Sequence, residues 1–140
     1  MHEKILFFLK KEYILTLATS INNIPWCANC FYTFLEKNNS FIFKSDKSTR
    51  HIKEGILNNS VAGTILPTLI KEKEIIGLQL TGKFFIPEND ILKIAKNEYY
   101  EKFPYARLVG GNFWGIKLLT LKYTDHRLGF GKKLYWESQN

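Results

Sequence analysis

The chain has 140 residues, of which 45% are hydrophobic and 15% aromatic, which is enough for one domain with a packed core and excludes a disordered chain. Its formal net charge is +7, but acidic residues such as Glu72 and Glu74 lie between the basic ones. This interleaving is typical of a solvated surface, whereas duplex nucleic acid normally requires a broad basic stripe. The opening apolar run, residues 5–9, is too short for a signal sequence or a membrane span. We therefore expect a soluble cytoplasmic protein with neither a nucleic-acid nor a membrane partner.

The first half of the chain predicts two helices and three strands. Ile5, Phe8 and Leu9 have the spacing of an apolar stripe on an opening helix. Apolar alternation and turn residues predict the elements that follow. In chain order these are a strand (13–20), a turn (22–23), a strand (26–35), a turn (37–39), a strand ending at Ser45 and a short helix (49–57).

The second half predicts four strands and one long helix. In chain order these are a strand (61–70), a hairpin loop (71–74), a strand (75–86), a helix (91–103) and two strands (113–124 and 128–136) joined by a turn (125–127). Pro67 indicates an edge or a bulge in the first of these strands. The whole pattern predicts an α+β fold, in which six or seven antiparallel strands form a barrel with flanking helices. We expect one domain over residues 1–140.

The spacing of Cys27 and Cys30 is compatible with a disulfide or zinc motif, but their context argues against both. The two residues lie in a predicted strand, where side chains three positions apart point to opposite faces and are roughly 10 Å apart. A disulfide requires Cα atoms within about 7 Å, and no second pair of ligands completes a zinc site. We predict two reduced thiols and no metal site.

The segment between the third strand and the short helix combines capping residues with basic residues. Its suitable N-cap residues are Asp46, Ser48 and Thr49. Its basic residues are Lys47, Arg50, His51 and Lys53. Positive charge at a helix N-terminus costs about 0.3–1 kcal/mol per residue, and a bound phosphate would reverse that sign. Taken alone, these residues fit a phosphate-binding turn and a solvated basic turn equally well.

Four stretches give the sequence a specific resemblance: PWCANCFY, KSTRH, EKFPYAR and TDHRLGFGKKLYW. Together with the order of the elements, they resemble the pyridoxamine 5'-phosphate oxidase-like family of FMN-binding split β-barrels. They are most similar to its uncharacterised bacterial YhbP-like group, and the resemblance extends from Tyr13 to Trp136. It implies a split β-barrel, a homodimer with FMN at the interface, and an oxidoreductase whose substrate is unknown.

The resemblance also implies a set of cofactor-binding residues. In the family, a hydroxyl residue and two basic residues after the third strand hold the flavin phosphate. The flavin ring lies along the second strand, a glutamine on the fifth strand often reaches the ring, and residues near the C-terminus reach the partner's cofactor. By position, the corresponding residues here are Asn29, Cys30, Phe31, Ser45, Thr49, Arg50, His51, Gln79, Trp114 and Lys132.

Two departures from the family argue against pyridoxamine phosphate oxidase activity. Ala28 and Thr33 stand where the oxidase has basic residues at the ends of its flavin segment. The residues that bind the substrate phosphate have only approximate counterparts, Tyr105 and Arg107. The alternative is a non-catalytic protein that binds haem or another planar anionic ligand in the dimer groove. The spacing indicates no catalytic residues.

Overall fold

Seven antiparallel strands form one sheet in the computed structural model, which describes residues 1–129 and 131–139. The strands are Ile14–Ile21 (β1), Ile24–Leu35 (β2), Ser40–Ser45 (β3), Ser60–Ile65 (β4), Ile76–Phe85 (β5), Asn112–Asp125 (β6) and Lys133–Glu137 (β7). Their order is β3-β2-β1-β4-β5-β6-β7, and β3 also pairs with β6. This additional pairing closes the first six strands into a barrel, and β7 extends the sheet beyond β6.

Three α-helices flank the sheet: Glu3–Lys11 (α1), Arg50–Leu57 (α2) and Asn89–Lys102 (α3). Short 3-10 helices occupy Glu36–Asn38, Pro104–Leu108 and His126–Leu128. The predicted apolar stripe of α1 is confirmed, since Ile5, Phe8 and Leu9 are buried. None of the helices in residues 1–129 or 131–139 is long and apolar enough to cross a membrane. The elements confirm the predicted α+β class and the antiparallel split barrel.

Alternate residues of the strands supply two separate apolar clusters. Phe41 and Phe43 of β3 belong to the larger cluster, which fills the barrel and contains the buried residues of α1. Ile42, between them, belongs to a second cluster on the outer face, where α3 contributes Tyr99 and the following turn Phe103. Successive side chains of a strand point to opposite faces, so β3 is covered on both sides. α3 therefore covers the outer face of β3.

Two predicted strand limits are wrong, and the structure gives the reason for each. β4 ends at Ile65 instead of residue 70, since Pro67 has no N–H to donate and the amide of Thr68 donates to the buried carboxylate of Glu12 (2.7 Å). β7 begins at Lys133 instead of residue 128, because a 3-10 turn comes first, capped by the carboxylate of Asp125. The predicted last strand also includes Phe130, which lies outside the described residues.

Two glycines of β5 differ in the space around them. At the irregularity between Thr81 and Gly82, a Cβ on Gly82 would lie 2.5 Å from Cγ2 of Ile116 and 2.6 Å from the carbonyl oxygen of Lys117. A Cβ on Gly77 would meet its nearest atoms at 3.5 and 3.6 Å, which are ordinary contact distances. β5 therefore approaches β6 closely at Gly82, whereas Gly77 leaves room for a side-chain methyl group.

Gly82→Ala is expected to lower the free energy of unfolding by about 1–3 kcal/mol, because the added methyl group collides with the backbone of β6. Gly77→Ala is the matched control and should cause no loss, since alanine is favoured over glycine in a strand where space permits. Urea denaturation of both variants measures the difference. Equal stabilities would contradict the close approach of β5 to β6 at Gly82.

Candidate functional site

The turn between β3 and α2 gathers the hydroxyl and imidazole groups predicted from the sequence. The hydroxyl of Ser45 lies 2.8 Å from Nε2 of His51. The carboxylate of Asp46 accepts hydrogen bonds from the amide (2.7 Å) and the hydroxyl (2.6 Å) of Ser48. The hydroxyl of Thr49, at the N-cap position of α2, donates to the carbonyl of Asp46 (2.8 Å). The turn is thus shaped by its own side chains, and the Thr49 hydroxyl makes no capping hydrogen bond to the amides at the start of α2.

Arg50 is held in place by two neighbours. Its guanidinium carbon lies 4.1 Å from the centre of the Trp26 ring, and its Nε donates to Oε2 of Glu54 (2.7 Å). Glu54 is itself buried, and its second oxygen accepts from the hydroxyl of Thr19 (2.9 Å). The hydrogen bond from Arg50 lowers the pKa of Glu54. Because a guanidinium has five N–H donors, the ion pair leaves its terminal nitrogens available to an anion.

The charge of the turn is less positive than the sequence indicates. Glu54 offsets Arg50, and the carboxylate of Asp46 lies within the turn itself. Burial lowers the pKa of His51 below its usual value, so the free imidazole is neutral at pH 7. Lys47 remains as an exposed cation of the turn. An anion at this position would draw its stabilisation from hydrogen-bond donors and from the outer edge of Arg50.

The three candidates on β2 point in two directions. Cys30 is buried in the barrel, where burial raises the pKa of its thiol to about 12. Asn29 and Phe31 lie on the outer face. The side-chain oxygen of Asn29 accepts from the hydroxyl of Thr16 (2.8 Å), and the ring of Phe31, 53% exposed, contacts that of Phe103. A flavin along the outer face of β2 would meet Asn29 and Phe31 but not the thiol.

The two cysteines occupy opposite faces of β2, as predicted. Cys27 is exposed and Cys30 is buried, and both are free thiols. β2 carries no charged residue, which predicts that both of its faces are covered. In the single chain, however, the first half of the strand is largely exposed. An apolar, uncovered strand segment is a feature of surfaces that meet another molecule.

The remaining candidates are scattered. Trp114 is buried, stacks on Phe84 at 5.8 Å and donates from its indole nitrogen to the carbonyl of Ser45 (2.9 Å). It therefore supports the turn from inside the barrel of its own chain. Gln79 is exposed on the outer face of β5, paired with Lys122 of β6, and Lys132 is exposed just before β7. The structure brings Trp114 to the turn and leaves Gln79 on β5 and Lys132 before β7.

Sequence reasoning did not identify three residues that act on the site: Thr19, Trp26 and Glu54. The position of Glu54, four residues after Arg50 on a predicted helix, is a readable signal for an ion pair. Thr19 comes from β1 and Trp26 from β2, and their contacts with α2 depend on how the barrel closes. A local sequence pattern contains no information on such contacts.

Solved structures share this fold at low sequence identity. They include a haem-binding protein from Mycobacterium smegmatis (TM-score 0.76, 15% identity, covering 91% of this chain and 53% of that one). An FAD-binding protein from Mesorhizobium loti has a TM-score of 0.69 at 12% identity, covering 86% of this chain and 91% of that one. A candidate pyridoxamine 5'-phosphate oxidase from Listeria innocua has a TM-score of 0.61 at 15% identity, covering 97% and 98%. These similarities establish a shared split-barrel fold.

Sequence comparison gives a closer relationship. No family model matches the chain. The sequence is, however, 36% identical over 129 residues to a UPF0306 protein of Yersinia pestis bv. Antiqua (strain Angola). The match covers 92% of this chain and 88% of the relative, so it includes the whole barrel and the turn before α2. The chain belongs to the UPF0306 family.

Proposed function

We propose that this protein binds FMN, holds the flavin phosphate at the turn between β3 and α2, and acts as an oxidoreductase of unknown substrate. The observation that carries the proposal is the arrangement of Ser45, Arg50 and His51 around the start of α2. A hydroxyl, a fixed guanidinium and the N-terminal amides of a helix are the groups that bind phosphate in proteins. The resemblance to the YhbP-like group supports FMN, and the similarity to an FAD-binding protein supports a flavin.

Each group of the turn has a separate task in this proposal. The Ser45 hydroxyl and the helix amides donate to phosphate oxygens, and the terminal nitrogens of Arg50 supply the fixed charge. Trp26 and Glu54 keep the guanidinium in one orientation, which reduces the entropy lost on binding. Asn29 and Phe31 offer a polar and an apolar contact for the ring. Bound FMN would supply hydride or electron transfer.

Pyridoxamine phosphate oxidase activity is not part of the proposal. The side chains at the ends of the flavin segment, Ala28 and Thr33, carry no charge, and Thr33 is buried. Arg107 stacks on the ring of Tyr100 at 4.7 Å. A phosphorylated substrate would need a second anion site besides the one for FMN, and neither Ala28 nor Thr33 supplies a charge for it.

Arg50→Ala is expected to weaken FMN binding by about 1.5–3 kcal/mol, the contribution of a charge-assisted hydrogen bond. The single change also leaves the buried carboxylate of Glu54 unpaired, which destabilises the fold and repels phosphate. The double variant Arg50→Ala, Glu54→Gln removes that complication. Fluorescence titration with FMN measures the affinity of both variants.

Lys53→Ala provides the matched control, because it removes one positive charge from an exposed position on the same helix. Its FMN affinity should stay within about 0.5 kcal/mol of the unmodified protein. Unchanged affinity in the double variant, or an equal loss in Lys53→Ala, would show that Arg50 does not hold the phosphate.

FMN affinity is expected to fall as pH rises from 6 to 8. Burial lowers the pKa of free His51, whereas a bound phosphate beside the ring favours the imidazolium form and raises that pKa. Binding therefore takes up a proton between the two pKa values, and affinity is lost as the imidazole deprotonates. His51→Gln keeps a hydrogen-bond donor that does not titrate. Its pH profile should be flatter than that of the unmodified protein. Identical profiles would show that the His51 imidazole does not contact the phosphate of FMN.

A homodimer is the second part of the proposal. Ile14 and Phe31 are register partners on the outer face of β1 and β2, and both are about half exposed. Ile24 and Trp26, on the opposite face of β2, are also exposed. Large apolar side chains exposed on both faces of one strand are unusual in a soluble monomer, and a second copy would cover them by two-fold symmetry.

Light scattering at micromolar concentration is expected to give twice the chain mass of 16.4 kDa. Ile14→Lys should shift the protein to the monomer, because it places a charge in the apolar surface. Leu69→Lys, at an exposed loop position, is the control and should remain dimeric. A mass of 16.4 kDa for the unmodified protein with its cofactor bound would exclude the dimer.

Haem is a second candidate ligand. The observation in its favour is the similarity to the haem-binding protein from Mycobacterium smegmatis, which shares the fold. Haem is planar and anionic, so its propionates could use the same turn as the flavin phosphate. The absorption spectrum separates the two ligands. Bands near those of free flavin support FMN, and a Soret band supports haem.

A further inference from the structure

A cavity of about 470 Å³ lies where α1 and α3 meet the last residues of β2. Its charged lining residues are Lys10, Glu98, Glu101 and Lys102. The ammonium of Lys10 pairs with the carboxylate of Glu36, directly after β2, at 2.6 Å. The candidate phosphate turn follows Ser45 at the other end of β3, so roughly 17 Å of strand separates the two places. The cavity is therefore distinct from that turn.

Lys102, the last residue of α3, has its side-chain nitrogen among three aromatic rings. The nitrogen lies 4.5 Å from the centre of the Tyr32 ring, 5.3 Å from that of Tyr13 and 5.6 Å from that of Phe103. It donates a hydrogen bond to the backbone carbonyl of Glu12. Among the described residues, no carboxylate forms an ion pair with it. Lys102 is only partly exposed, so aromatic rings stand where a lysine normally has water.

These surroundings favour the uncharged form of the Lys102 amine. Burial lowers its pKa to about 8, and the nearby carboxylate of Glu12 opposes this shift only in part. At pH 7 about one amine in ten is then uncharged, compared with fewer than about one in a thousand for a lysine in water. The uncharged amine has a free electron pair, so it acts as a nucleophile.

The ionisable groups around the cavity leave an excess of negative charge. The ammonium of Lys10 is already paired with a carboxylate. Glu12 at the end of α1 contributes negative charge, as do Glu98 and Glu101 on α3. The phenol of Tyr32 stays neutral at physiological pH, because burial raises its pKa. A ligand of this cavity should therefore carry no negative charge of its own.

We infer that Lys102 is a covalent binding site for a small uncharged aldehyde, which it holds as an imine. The amine attacks the carbonyl carbon and a C–N bond forms. Both amine protons then pass to the carbonyl oxygen, which leaves as water, so the step needs no oxidant or reductant. The surrounding rings favour an aromatic aldehyde, and the cavity of about 470 Å³ has room for one. The inference does not depend on FMN binding.

The test uses benzaldehyde and 4-formylbenzoate, which share one ring and differ in charge. The full chain is treated with each aldehyde and cyanoborohydride, which reduces an imine to a stable amine, and peptide mass spectrometry locates the label. At pH 7, benzaldehyde should label Lys102 at least about tenfold more than any other lysine, because its amine is more often uncharged. Label from 4-formylbenzoate should be lower by at least about threefold. An unlabelled Lys102, label spread evenly over the lysines, or equal labelling by both aldehydes would overturn the inference.

Two variants and a pH series give further measurements. Lys102→Arg keeps a cation and a donor for the Glu12 carbonyl, so it should fold normally and lose the preferred label. Lys96→Met, at an exposed position on the same helix, is the matched control and should leave the label at Lys102 unchanged. The excess of label at Lys102 over Lys96 should persist up to pH 8 and fall between pH 8 and 10, as ordinary lysines lose their protons. An excess that stays constant up to pH 10 would overturn the inference.

Repeating the labelling with saturating FMN separates this inference from the proposed function. Unchanged labelling of Lys102 is expected, since the cavity and the phosphate turn lie at opposite ends of β3. Protection of Lys102 by FMN would overturn the separate site, because the cavity would then belong to the flavin site. If the protein fails to bind FMN but benzaldehyde labels Lys102, the proposed function fails and the covalent site stands.

Discussion

The pairing of β3 with β6 is the contact on which the rest of the structure depends. It runs from Ser40–Lys117 to Ser45–Asn112 and turns an open sheet into a barrel. Closure gives β3 an interior face, with Phe41 and Phe43, and an exterior face, with Ile42 beneath α3. It also brings Trp114 of β6 under the end of β3, where the indole donates to the carbonyl of Ser45. The start of the candidate phosphate turn is thus fixed by a strand almost seventy residues away.

The turn illustrates how a fold can moderate a charge that the sequence displays. Arg50 is read from the sequence as a free cation at a helix N-terminus, but in the barrel it is stacked on Trp26 and paired with Glu54. A cation held in this way has less electrostatic reach but a defined orientation. For a ligand that must be placed accurately, a fixed donor is more useful than a mobile charge.

The elements that could be predicted from the sequence are those with a regular period. The stripe of α1 and the alternation of β5 are confirmed because burial on one face imposes a period of 3.6 or 2 on the residues themselves. The end of β4 and the start of β7 were harder to predict, because they depend on Glu12 and Asp125, which belong to other segments of the chain. The family resemblance gave the positions of Ser45 and His51, which the structure brings into contact.

The role of Lys44 could not be predicted from any local pattern. Its ammonium donates to the hydroxyl of Tyr100 and to the carbonyl of Ala106, which return to the same face of β3 more than fifty residues later in the chain. In the sequence Lys44 is one of many lysines, and the structure alone shows that it joins β3 to the segment around the end of α3.

β7 has a consequence for the behaviour of the protein in concentrated solution. Among the described strands, it is the one with a neighbour on a single side, because closure pairs both edges of the other six. An open edge can recruit a strand from another molecule and begin aggregation. β7 limits this risk by its length of five residues and by Lys133 at its start, next to Lys132. Short edges that begin with positive charge repel their own copies, so the two lysines protect the colloidal stability of the chain.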